Sequence, residues 1–113
     1  MKDFEIILED ELIKVSSFKY YYKIEFNIHN FLSYELYCEN ILKVLIDLAK
    51  KERENSAENL IIFDLLFDNE IIKFNIPFLF PFLDKDFYWF LMDVYKNYSN
   101  SPKSDISVYV YVH

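Results

Sequence analysis

The chain contains no glycine in 113 residues, and that absence excludes several function classes at once. Loops that cradle phosphates bring backbone amides up against the anion and need glycine to do so. Walker loops, dinucleotide fingerprints and nucleophile elbows are therefore ruled out. Tight turns must rely on Asn, Asp, Ser or Pro. Cys38 is the only cysteine, so neither an intramolecular disulfide nor a cysteine zinc site can form, and a reducing cytoplasm is the expected compartment. Positive charge is also scarce: 12 Lys and Arg face 19 Asp and Glu, for a net charge of -7. The deficit is spread over both halves of the chain. Binding nucleic acid by counterion release needs clustered cations, so no direct nucleic-acid partner is expected. Long apolar runs are missing as well. The most apolar stretch, residues 76–83, is short and holds Pro77 and Pro81, too little for a membrane span. Acids within Met1–Glu11 and the lack of a small-residue cleavage site argue against a signal peptide.

What is present is a folding composition. Hydrophobic residues make up 53% of the chain and aromatic residues 20%, enough for one core-forming domain over residues 1–113. Phe4, Ile6 and Leu8 alternate, Glu9-Asp10-Glu11 interrupts, and Leu12–Val15 resumes, which predicts an N-terminal strand or hairpin with an acidic bend. Tyr20, Tyr22, Ile24, Phe26 and Ile28 share one face of a strand, with Tyr21, Lys23, Glu25 and Asn27 on the other. Asn30 or Ser33 can cap a helix that carries Tyr37, Ile41, Val44, Leu45 and Leu48 inward and Glu35, Glu39, Lys43, Asp47 and Lys50 outward. Leu60–Phe67 is a near-continuous apolar strand, Asp68-Asn69 a two-residue turn, and Ile71–Ile76 its return. Asp84 is a candidate N-cap for a second helix with Phe87, Phe90, Leu91, Val94 and Tyr98 inward. Ile106–Val112 is the last strand.

From Tyr20 the predicted order is β-α-β-β-α-β, that of the ferredoxin-like split βαβ sandwich. The expected class is α+β: an antiparallel sheet with two helices on one face, preceded by the N-terminal strand or hairpin. The uncovered face would then carry Tyr21, Lys23, Glu25, Ile71, Lys73, Asn75, Tyr109 and Tyr111. Such a face is either a set of cross-strand pairs, a stacking platform of the kind RNA-recognition modules use, or a protein-binding surface rich in tyrosine.

Catalytic constellations find little support. Asp64, Glu70 and Lys73 have the residue types of a nuclease site, but strand alternation places Glu70 and Lys73 on opposite faces. Asp64, the one acid inside an apolar strand, is expected to pair with a Lys or a Tyr hydroxyl. His29 with Glu35 and Glu39 is a thin metal set, and Cys38 with His29 a thin nucleophile pair; neither a catalytic residue nor a cofactor or metal is expected. Three acidic groups remain: Glu9-Asp10-Glu11, Asp68 with Glu70, and Asp84 with Asp86, of which only the last has a local reason at a helix start.

The expectation is accordingly a non-enzymatic, acidic, cytoplasmic inhibitor of the immunity-protein kind. Its partner would be a basic protein, such as a nuclease toxin or a CRISPR-type defence effector, and no membrane is involved. Both comparisons are by size and charge class. The residues expected to meet the partner are Glu9, Asp10, Glu11, Tyr21, Glu25, Asp68, Glu70, Tyr109 and Tyr111. An edge strand could also support a homodimer. The alternative is an RNA-binding or small enzymatic ferredoxin-like domain using the open sheet face.

Overall fold

A computed structural model describes residues 4–54, 60–67, 70–77, 85–100 and 105–112. The elements in chain order are β1 (Glu5–Glu9), β2 (Ile13–Ser17), β3 (Tyr21–Asn27), a 3-10 turn over Ile28–Asn30, α1 (Tyr34–Glu54), β4 (Leu60–Phe67), β5 (Glu70–Pro77), α2 (Lys85–Tyr98) and β6 (Asp105–Val112). The class is α+β, with the predicted β-α-β-β-α-β succession from β3 onward. The strands form one six-stranded sheet of order β1-β2-β3-β6-β4-β5, antiparallel at every pairing.

Alternation decides which face is buried. Ile13, Val15, Tyr22, Ile24, Phe26, Phe63, Leu65, Ile106, Val108 and Val110 are all buried and belong to one cluster with Tyr37, Ile41, Val44, Leu45, Leu48 and Ala49 of α1 and Leu91 and Val94 of α2. Both helices thus contribute to the core on the same side of the sheet. They also meet each other: the Tyr37 hydroxyl donates to the Leu91 carbonyl at 3.1 Å, and the Tyr34 and Tyr95 rings are edge-on at 5.1 Å. Tyr37, fully buried, is the centre of this packing, with the rings of Phe26, Phe31, Tyr34 and Tyr95 around it.

The spatial order of the strands departs from a ferredoxin-like sheet. There the central hairpin lies against the first strand of the unit; here β2 takes that flank of β3, and the β4–β5 hairpin pairs through β4 with β6 instead. The N-terminal hairpin extends the sheet sideways and does not fold over its open face. Its alternation is also interrupted. A register shift between Ile6 and Leu8 sets Ile6 opposite Ser16 and Leu8 opposite Val15, so these two residues point to different faces. Tyr20, expected to share a face with Tyr22, is 75% exposed in the β2–β3 turn, outside the strand.

Local chemistry replaces glycine at the breaks. Asp10 Oδ1 accepts from the backbone N–H groups of Leu12 and Ile13, both at 2.8 Å, and the Asp10 N–H donates to the Ile13 carbonyl. Asn27 accepts from the His29 N–H and so opens the 3-10 turn. Of the two candidate caps, Ser33 serves α1, since its hydroxyl accepts from the Leu36 N–H at 3.2 Å. α1 continues beyond the last outward residue named from its period, Lys50, to Glu54. The Asp68-Asn69 turn and the Asp84 cap lie outside the described residues. Neither helix is long and apolar enough to cross a membrane.

Candidate functional site

The face of the sheet opposite the helices is organised in rows that follow from register. One row runs Tyr21–Tyr111–Asp64–Lys73 across β3, β6, β4 and β5. The next runs Ile6–Ser16–Lys23–Tyr109–Leu66–Ile71, and a third Glu9–Lys14–Glu25–Ser107. The face therefore grades from aromatic at the end where β3 starts to charged at the end of the β1–β2 turn.

Aromatic contacts bind the first two rows together. The ring of Tyr21 stacks on Phe18 at 4.7 Å with 11° between planes, and Phe18 in turn stacks on Phe4 at 5.2 Å. Tyr21 also meets Tyr111 at 5.5 Å and Tyr109 edge-on at 5.8 Å. Five rings thus form one continuous band from the sheet edge to β6. Phe4 and Tyr111 are exposed, the other three half-buried. The Lys23 ammonium lies 5.7 Å from the Tyr109 ring and 3.7 Å from the Glu25 carboxylate, so the platform's one described central cation is already engaged by an acid.

The expected partner-facing residues divide accordingly. Tyr21, Glu25, Tyr109 and Tyr111 are brought together on the open face, and Glu9 joins them through Lys14. Asp10 sits in the β1–β2 turn, where the two backbone donors, Ile13 first and Leu12 second, hold its carboxyl below the usual range. That is a structural role which the sequence reading did not assign to it. Glu11 is exposed in the same turn. Glu70 pairs with Phe67, in the opposite phase to Asp64 and Lys73, at the far edge of the sheet. Five strand spacings, about 24 Å, separate that edge from β1. Asp68 lies outside the described residues. Among the described residues, the strand position of Glu70 is thus far from the acidic β1–β2 turn. Phe4 and Phe18 are the members of the band that sequence reasoning did not name: Phe4, read there as the start of the N-terminal alternation, precedes β1, and Phe18 lies between β2 and β3.

The thin catalytic sets gain no geometry. Burial raises the Cys38 thiol, with Glu35 adding to the effect and a hydrogen bond from Tyr34 opposing it, so the thiol is not primed as a nucleophile. Among the described residues no three His, Cys, Asp or Glu side chains gather to hold a metal ion. The Tyr22 hydroxyl, on the covered face, donates to Glu52 of α1. Desolvation first and that carboxylate second push it far above the ordinary phenol value. Burial does the same to Tyr37. Both hydroxyls tie helices to other elements.

Comparison with known proteins adds no relative: no family model, curated protein or solved structure matches the chain.

Proposed function

We propose that this protein is a non-enzymatic binding protein whose open sheet face docks on and occludes a basic surface of a partner protein. The observation that carries the reading is the continuous band of Phe4, Phe18, Tyr21, Tyr109 and Tyr111 on the face opposite the helices, bordered by the row of Glu9 and Glu25. Tyrosine is enriched among residues that dominate binding energy, since a rigid ring buries much area at little entropy cost. Packed against one another, these rings are already ordered before contact, which lowers the cost of association.

Charge supplies the partner's chemistry. A net -7 on a chain of this size steers it toward a positively charged surface and away from nucleic acid. Substrate clefts of nucleases and of nucleic-acid-handling defence complexes are basic because they bind phosphate backbones. A small acidic protein seated in such a cleft blocks it sterically, in a cytoplasmic setting, without chemistry of its own. Base stacking on the same tyrosines is the competing use of the face. Glu25, paired with Lys23, opposes it, because it places a carboxylate where a nucleic-acid backbone would need a cation.

Affinity capture from the source cell, read by mass spectrometry and by nucleic-acid recovery, tests the reading. A stoichiometric basic protein is expected, released as salt rises and the charges are screened. Recovery of RNA or DNA with no protein partner contradicts it.

A further inference from the structure

We infer that the free edge of β1 accepts an extended, basic segment of a partner as a seventh strand of the sheet. The site shares Glu9 and Ile6 with the margin of the open face but is read by backbone pairing along β1 and not by the ring band, so peptide shifts along β1 test it separately. β1 and β5 are the two edges of the sheet. Among the described residues each edge strand pairs with a single neighbour, β5 with β4 and β1 with β2; α2 lies close to β5, and no helix lies as close to β1, so the outward N–H and C=O groups of β1 form a template for strand addition. Exposed apolar side chains lie on that template: Ile6 is 43% and Leu8 39% exposed, one on each side of the sheet because of the register shift between them. Beneath β1, on the helix side, a groove of about 260 Å³ opens between the strand and α1, lined by Ile7, Leu8, Val15, Val44 and Leu48, with Asp47 and Lys51 at its rim.

Charge selects the occupant. Glu5 and Glu9 bracket the apolar centre of β1 and both are exposed, with Asp10 and Glu11 just beyond; among the described residues the cations near this end are Lys14, opposite Glu9, Lys51 at the groove, and Lys43, whose charge reaches Asp10. A second copy would bring a second Glu5 and Glu9 onto the paired strands and another net -7 with them, so self-pairing is opposed. A foreign strand with cations opposite Glu5 and Glu9 gains in both places. The register shift also sets the spacing. Glu5 and Glu9 pair with Ser17 and Lys14, three residues apart on a regular strand, so the incoming segment needs two Lys or Arg three residues apart with two apolar residues between them. One of those apolar residues would overhang the groove and the other would lie beside Ile6.

The test uses the full chain and two synthetic peptides, acetyl-Thr-Lys-Val-Ile-Lys-Thr-amide and the same peptide with Glu in place of Lys. Amide shifts are followed by NMR. The expected result is saturable shifts over Glu5–Glu9 with the Lys peptide, at least tenfold tighter than with the Glu peptide, and reversal of that order in the Glu5→Lys/Glu9→Lys variant. Both substituted positions are exposed, so the variant keeps its fold, and its own spectrum checks this. Three results overturn the inference: no shifts along β1 at millimolar Lys peptide, shifts confined to Tyr21, Tyr109 and Tyr111, or concentration-dependent dimerisation through β1 that the peptide does not disturb.

Discussion

Asp10 illustrates how single residues carry the absence of glycine. Its carboxylate accepts two backbone hydrogen bonds and closes the β1–β2 turn that a glycine would otherwise relax into. Asp10→Ala is expected to lower stability by about 1 kcal/mol, the usual net value of such bonds on an exposed turn. The pH dependence has a definite sign. Because the folded carboxyl titrates below its unfolded value of 3.8, its contribution is full above that value and is lost as pH falls through the lower folded value. Acid titrations of the wild type and Asp10→Asn check this: the amide keeps an acceptor oxygen but removes the ionisation, so the acid-dependent part of the loss should shrink. Tyr37 lies at the other extreme. Truncation to alanine removes a fully buried ring from the junction of both helices with the sheet, and a loss of about 3–5 kcal/mol in denaturant unfolding is expected.

At the level of elements, α1 depends on Ser33 at its start, and Ser33→Ala is expected to cost about 1 kcal/mol, measured by thermal or chemical unfolding. The same level separates what periodicity encodes from what it does not. The inward set of α1, from Tyr37 to Leu48, and the alternation of Tyr22, Ile24 and Phe26 in β3 and of Ile106, Val108 and Val110 in β6 were legible, because burial selects one stripe of a helix and one face of a strand. The gathering of Tyr21, Glu25, Tyr109 and Tyr111 followed from that alternation. Neighbour identity did not. Nothing in the spacing of Leu60–Phe67 distinguishes pairing with β6 from pairing with β3; that depends on β2 already occupying the other flank of β3. The shift at Ile6–Leu8 was hidden for a related reason, since an apolar run of three reads as continuous alternation until its partner strand is known. Phe18 escaped because a turn residue has no period, and Phe4 because alternation assigns a residue to a face and not to a contact partner.

For the molecule as a whole, six strands with both helices on one side leave a broad second face, and the distribution of chemistry over it is uneven. Rings dominate where β3 begins and carboxylates dominate near the β1–β2 turn. On the proposed reading acids steer the encounter and tyrosines hold the complex, and the two contributions separate experimentally: raising salt should slow association far more than it speeds dissociation. The most direct test of this account is the affinity of the captured partner for the wild type and for the Tyr109→Ala/Tyr111→Ala variant, measured by calorimetry alongside melting of each protein. Since Tyr111 is exposed and Tyr109 only half-buried, the variant should lose about 1 kcal/mol of stability, while its affinity falls about thirtyfold or more, the effect of removing one hot-spot ring or better. Affinity unchanged within about twofold in a folded variant would contradict the account, because a partner indifferent to both rings cannot be held by this face.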